Sequence, residues 1–143
     1  MFLGISRSLS VNGRLLFLNI NHVLIYHPIH FSGGTGKTFC INTALADLRS
    51  KGNIALCAAT SGIAATLLSG GATAHSMFKI PLDLQRQEMP RCNISKQSEL
   101  AKVLKLTSLI VWDEATMAHL KTAEALDRTL QDICSNKRPF GGE

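Results

Sequence analysis

The sequence predicts an α/β fold, a parallel sheet with flanking helices, and three observations carry that expectation. From residue 23 onward, apolar runs alternate with stretches of helical periodicity, as strands joined by crossover helices require. Two of the runs, "NIALCAAT" at 53–60 and "SLIVW" at 108–112, are continuously apolar, like strands covered on both faces. A glycine-rich stretch, "HFSGGTGKT" at 30–38, stands between an apolar run and a helical pattern.

The elements follow in order. "HVLIY" (22–26) reads as the first strand, ended by Pro28, which has no amide to donate to a ladder. A helix from about Lys37 to Ser50 places Ile41, Ala44, Leu45 and Leu48 on one face, and Gly52 terminates it. After the second strand, 53–60, Ser61 is positioned to cap a helix through "GIAATLL", which Gly70-Gly71 stops. "ATAHSMF" reads as a short helical turn ending before Pro81. Residues 83–97 are polar, contain Pro90 and show no period, so a surface loop is expected. Ser98-Glu99 starts a helix to about Lys105, and 108–112 is the third strand. The last helix, about 118–134, puts Leu126, Leu130 and Ile133 on one side and a Glu124–Arg128 pair on another. Three strands are few, and their open edges are expected to favour association.

At 143 residues the chain is one domain at most, long enough to bury a real core. The net charge of +5 favours polyanionic partners without distinguishing them from scattered surface lysines. Cys40, Cys57, Cys92 and Cys134 form no C-x-x-C pair, so reduced thiols are expected rather than a metal site. The run "LLFLNINHVLIY" is too short, and too interrupted by Asn19, Asn21 and His22, to span a membrane. The first acidic residue is Asp47, and the Arg- and Ser-bearing start is compatible with a mitochondrial presequence. An irregular extension over 1–31 that feeds one strand is the preferred reading.

The chemistry lies in two motifs. In "GGTGKT", Gly33, Gly34, Thr35 and Gly36 allow backbone amides to converge on an anion, and the helix start adds positive potential. Lys37 would reach the β- and γ-phosphates of ATP, and the Thr38 hydroxyl would ligate Mg²⁺. Far downstream, "LIVW" runs into Asp113-Glu114. Asp113, at the carboxyl end of its strand, can hold the magnesium shell, and Glu114 can orient and deprotonate a water. An Asp-Glu pair alone is often only a helix cap; coupled to the glycine loop it indicates a phosphate-loop NTPase core.

Four stretches together carry a closer resemblance: "SGGTGKTF", "CAATSGIAATLLSGGATAHSMFKIPL", "LIVWDEATM" and "ALDRTLQDI" with its following "FGG". They resemble the petite-integration-frequency family of superfamily-one DNA helicases, with the Helitron-type branch nearest. The resemblance covers about residues 32–142. It implies a RecA-like fold, with 32–143 as part of a first motor domain, ATP hydrolysis, and 5′-to-3′ movement on single-stranded DNA. Unwinding would serve replication, repair, recombination or telomere maintenance, in the nucleus or the mitochondrion. By position, Thr60, Ser61, Gly62 and Ile63 fall in the family's first DNA-contacting segment, and Thr73, His75 and Ser76 in its second. Phe78 is a possible stacking face, with core packing as the preferred alternative, and Lys79 and Arg86 are read as solvated charge.

The sequence also departs from the family pattern. Phe31 stands where the loop's first glycine belongs, and no glutamine precedes Gln85 to read the adenine. The residues end at "PFGGE", before the family's Gly-Asp-x-x-Gln segment and its second RecA-like lobe. Weak nucleotide binding and no unwinding are therefore expected of these residues alone. Two other readings stand beside this one. One is a non-enzymatic, transposon-derived or pseudogene fragment that binds nucleic acid. The other is a small phosphate-loop kinase, for which no acceptor pocket or basic lid is evident.

Overall fold

The computed structural model describes residues 16–18, 36–115 and 118–142. Its centre is a four-stranded sheet in the order β1-β4-β2-β3, built from β1 (Leu16–Leu18), β2 (Ile54–Ala59), β3 (Ala72–Thr73) and β4 (Thr107–Asp113). β2 lies parallel to both β4 and β3, so these three strands form the expected parallel sheet, whereas β1 adds antiparallel to β4. The strand read at 22–26 lies outside the described residues.

Five α-helices are described: α1 (Lys37–Ser50), α2 (Gly62–Thr66), α3 (Ala74–Phe78), α4 (Glu99–Leu106) and α5 (Leu120–Cys134). Ser61, Thr73 and Ser98 each cap the helix that follows, accepting from the amides of Ala64, Ser76 and Ala101. α1 ends where Gly52 turns left-handed at φ 78° and donates to Arg49, while Asn53 donates to Leu48.

Successive strand residues face opposite sides, and this alternation divides the core in two. Ala55, Cys57 and Ala59 of β2 and Val111 of β4 pack under α1 and α2 with Ile41, Leu45, Ala64, Ala65 and Leu68. Ala58, Ile110 and Trp112 face the other way, against Phe78, Leu104, Leu126, Leu130 and Ile133 of α3, α4 and α5. Trp112 and Phe78 meet there, with ring centroids 6.2 Å apart.

Four expectations are corrected. Residues 72–73 are strand, not helical turn, because they pair with Ala58 and Ala59 before the chain turns into α3. Ala44 is exposed, since Ile41, Leu45 and the half-buried Leu48 are the α1 residues that pack toward the sheet. The 83–97 segment is not simply surface: it holds a 3-10 turn at Leu84–Arg86, and Leu84, Pro90 and Cys92 are buried. Lys121 fixes it by donating to the carbonyls of Gln85 and Gln87, and the Thr129 hydroxyl accepts the Cys92 amide. Apolar residues so widely spaced leave no period in the sequence. Finally, Glu124 and Arg128 form no ion pair among the described residues, where Arg128 Nη1 is buried without a hydrogen-bond partner; an exposed i,i+4 attraction is too weak to dictate the geometry.

Candidate nucleotide and DNA site

Parity along β4 decides where the acidic pair goes. Asp113 follows Val111 onto the α1 side of the sheet, at the strand's carboxyl end. α1 begins beside it. Its N-cap is Gly36, left-handed at φ 79°, a conformation that costs glycine little and other residues more. No side chain among the described residues caps this end, and no acidic residue lies in its first turn. The Lys37, Thr38 and Phe39 amides at the start of this fourteen-residue helix have no hydrogen-bond partner among the described residues, an arrangement that suits an anion.

Lys37 opens the helix, and its Nζ lies 2.6 Å from Oδ1 of Asp113, 76 residues away in sequence. The lysine side chain is 31% exposed and the aspartate 7%. Oδ1 also accepts the Glu114 amide at 2.9 Å. Oδ2 of Asp113 takes no hydrogen bond from the described residues. Thr38 sits in the same first turn, half-buried. A carboxylate with a spare oxygen, a hydroxyl and an ammonium around a helix start suit Mg²⁺ and a polyphosphate. Gly33, Gly34, Thr35 and Phe31 lie outside the described residues.

Glu114 departs from the strand at once, with φ 56°, a left-handed conformation that a non-glycine residue holds only under constraint. The constraint comes from the end of β2. The Thr60 hydroxyl donates to the Glu114 carbonyl at 2.7 Å and accepts from Trp112 Nε1 at 3.2 Å. The Thr60 amide donates to the Asp113 carbonyl. The Ser61 hydroxyl, besides capping α2, lies 3.4 Å from Oε2 of Glu114. None of these contacts was read from the sequence; the signal available was a pair of hydroxyl residues ending a buried strand.

The remaining expected residues gather at the same sheet edge. Asp113 pairs with Ala59, and Ala59 with Thr73, so the carboxyl ends of β4, β2 and β3 lie in a row. Gly62 is exposed, and so is Ile63 at 81%; His75 and Ser76 are exposed, while Thr73 is half-buried as the cap of α3. Phe78 is fully buried against Trp112, so its core role prevails and it offers no stacking face. Arg49, unremarked in the sequence, braces the other end of this layer by donating to the carbonyls of Ala55 and Ser69.

The two buried thiols, Cys57 on the α1 side of the sheet and Cys92 on the other, are inert by position. Burial pushes Cys57 from 9.0 to about 11, helped slightly by Asp113 and opposed by Arg49. Burial does the same to Cys92, also to about 11, against the hydrogen bond from Thr129.

A family model of PIF1-like helicases matches residues 19–143. The chain belongs to the PIF1-like helicase family. Pif1, an ATP-dependent DNA helicase of Psychrobacter sp. (strain PRwf-1), is 32% identical over 111 residues, covering 78% of this chain and 17% of that relative. RRM3, an ATP-dependent DNA helicase of Saccharomyces cerevisiae, is 31% identical over 114 residues, covering 78% of this chain and 16% of its own. Among solved structures, Bacteroides Pif1 bound to single-stranded DNA superimposes with a TM-score of 0.64 at 29% identity, covering 76% of this chain and 24% of its own. Bacteroides Pif1 in complex with ADP-AlF3 and single-stranded DNA gives 0.65 at 29% identity, covering 78% and 25%. The PIF1-like chain therefore has the RecA-like α/β fold of these helicases and spans about one-sixth of its curated relatives' length.

Proposed function

We propose that this chain is the ATP-binding part of the first motor domain of a DNA helicase, with 1–31 as an extension and 32–143 as motor. The observation that carries the reading is the 2.6 Å contact between Lys37 and Asp113. An ammonium and a buried carboxylate so far apart in sequence converge where a helix start faces the carboxyl ends of a parallel sheet. Gly33 to Thr38 would cradle the phosphates of ATP, Lys37 would bind the β- and γ-phosphates, and Glu114 would orient the attacking water. Mg²⁺, held by Thr38 and Asp113, would supply charge neutralisation at the phosphates.

Thr60, Ser61, Gly62 and Ile63, with Thr73, His75 and Ser76, would follow the backbone of single-stranded DNA along the same edge. Support comes from the DNA-bound Bacteroides relatives and from the exposure of Gly62, Ile63, His75 and Ser76. In the full assembly, hydrolysis would drive 5′-to-3′ unwinding at forks, serving replication, repair, recombination or telomere maintenance in the nucleus or mitochondrion. These 143 residues alone should bind nucleotide weakly and unwind nothing.

The test is Lys37→Ala with a fluorescent ATP analogue and Mg²⁺. Loss of a charge-assisted contact to phosphate should weaken binding about tenfold or more. Equal affinity of the variant and the parent chain would overturn the assignment, as would ATP-dependent strand displacement by the chain for the prediction that it cannot unwind.

A further inference from the structure

Phe39 stands in the first turn of α1 with 76% of its surface exposed, whereas Phe78, Trp112 and Phe140 are buried. A lone exposed ring is ordinary on a protein surface, so its place is what matters. Lys37 reaches Asp113 at the sheet edge, and Ile41 and Leu45 continue that face of the helix. Phe39, two residues past the lysine, lies about 200° around from it, on the outer flank of the same turn. The Thr43 hydroxyl donates to the Phe39 carbonyl at 2.8 Å and fixes the turn. Beside it, the Asn42 side chain donates to the Leu67 carbonyl and accepts from the Ser69 amide. That pair of bonds seats Leu67, itself 61% exposed, on the same flank.

We propose that Phe39 is the platform on which a nucleobase stacks, so that the site takes nucleoside triphosphates by the face of the base and not by its edge. The inference rests on the preceding reading of Lys37 as the ligand of the β- and γ-phosphates. From there, the Phe39 amide, without a hydrogen-bond partner among the described residues, is the next donor away from the sheet. A triphosphate that follows these amides would cross the helix start from Asp113 toward the outer flank. Its nucleoside would emerge beside Phe39 and Leu67, which offer apolar surface to a flat ring. Stacking tolerates any base, because every base has a π-face. Reading the edge requires hydrogen-bonding side chains, and this flank is poor in them. No glutamine precedes Gln85, the Asn42 amide is engaged at Leu67 and Ser69, and the Thr43 proton is engaged at Phe39.

Calorimetric titration of the chain with ATP, GTP and inorganic tripolyphosphate, each with Mg²⁺, tests the assignment. ATP and GTP should bind within about threefold of each other, as stacking without edge contacts requires. Phe39→Ala should lower the affinity for both nucleotides about tenfold while leaving that for tripolyphosphate within about twofold. Phe39→Tyr, which keeps the ring, should bind all three like the parent chain. The ring is exposed, so neither substitution removes core packing. A loss in Phe39→Ala that tripolyphosphate shares in full overturns the inference, because the residue would then act on the phosphates or the fold. A parent chain that prefers ATP to GTP by about a hundredfold overturns it too, since such a ratio needs hydrogen bonds to the base edge. Tripolyphosphate binding together with nucleotide affinity unchanged in Phe39→Ala overturns the platform alone. A parent chain that binds neither nucleotide nor tripolyphosphate overturns the underlying phosphate site as well.

Discussion

Removing either partner of the Lys37–Asp113 pair should cost unequal amounts of stability, because the two ends are unequally buried. At 2.6 Å and an effective dielectric of about 20, the bare attraction is about 6 kcal/mol, much of it offset by desolvation of the carboxylate. Lys37→Ala leaves Asp113, 5% exposed, with the Glu114 amide as its remaining hydrogen-bond donor among the described residues. A buried carboxylate stripped of its cation should lose about 2–3 kcal/mol, toward the lower end for a broken buried pair. Asp113→Asn leaves the lysine, which is 31% exposed and can turn into water, and the new amide oxygen still accepts from Glu114. That variant should lose about 1 kcal/mol. The double variant should then lie near the milder single one, with a coupling of about 2–3 kcal/mol. Urea unfolding followed by Trp112 emission at neutral pH measures all four proteins. Equal losses in the two single variants, or strict additivity in the double, would refute the claim that Asp113 is buried against Lys37.

Thiol chemistry and packing give further outcomes. At pH 8, Cys40, the exposed thiol, should react with a maleimide or disulfide reagent far faster than Cys57 and Cys92. With pKa values near 11, the latter two are about one part in a thousand thiolate at that pH, and mass spectrometry of the labelled chain reads the order. The same shift sets an alkaline limit. Between pH 9 and 11 the unfolded chain releases thiol protons that the folded one keeps, so stability is undiminished by these groups below 9 and falls across that window. Denaturant midpoints at pH 8 and 10.5 test it against Cys57→Ala/Cys92→Ala, whose fall across the interval should be smaller. Gly141→Ala should destabilise by more than about 1–3 kcal/mol, since the backbone is left-handed at φ 69° and the new Cβ would stand 2.6 Å from the Leu130 carbonyl oxygen. Phe78→Ala should cost about 3–5 kcal/mol and alter Trp112 emission, because the two rings pack together in the core. A Phe78→Ala chain of parental stability would put the phenylalanine back on the surface.

Much of the layout was legible because it depends on local rules. Helix caps at Ser61 and Ser98, the left-handed stop at Gly52 and the two continuous strands each rest on a few neighbouring residues and their backbone preferences. The glycine loop and the Asp-Glu pair were likewise visible as residue types in a fixed order. Other features were not legible. β3 is two residues long and owes its existence to pairing with Ala58 and Ala59, which no local pattern announces. The antiparallel seat of Leu16–Leu18 on β4 is a choice of partner, made across more than ninety residues. The Glu124–Arg128 pair does not form among the described residues, and an attraction worth a few tenths of a kcal/mol is too small for spacing alone to fix two long side chains together.

The sequence by itself therefore determined which chemical groups this protein has: a lysine and threonine at a helix start, a carboxylate pair at a strand end, hydroxyls at the ends of two others. Tertiary structure decided which of them meet. Strand parity sends Asp113 to the α1 side, parallel registry aligns it with Ala59 and Thr73, and the left-handed turn at Glu114 delivers that residue to Thr60 and Ser61. Such meetings depend on distances between segments that touch only after the sheet has formed, and local preference carries no record of them.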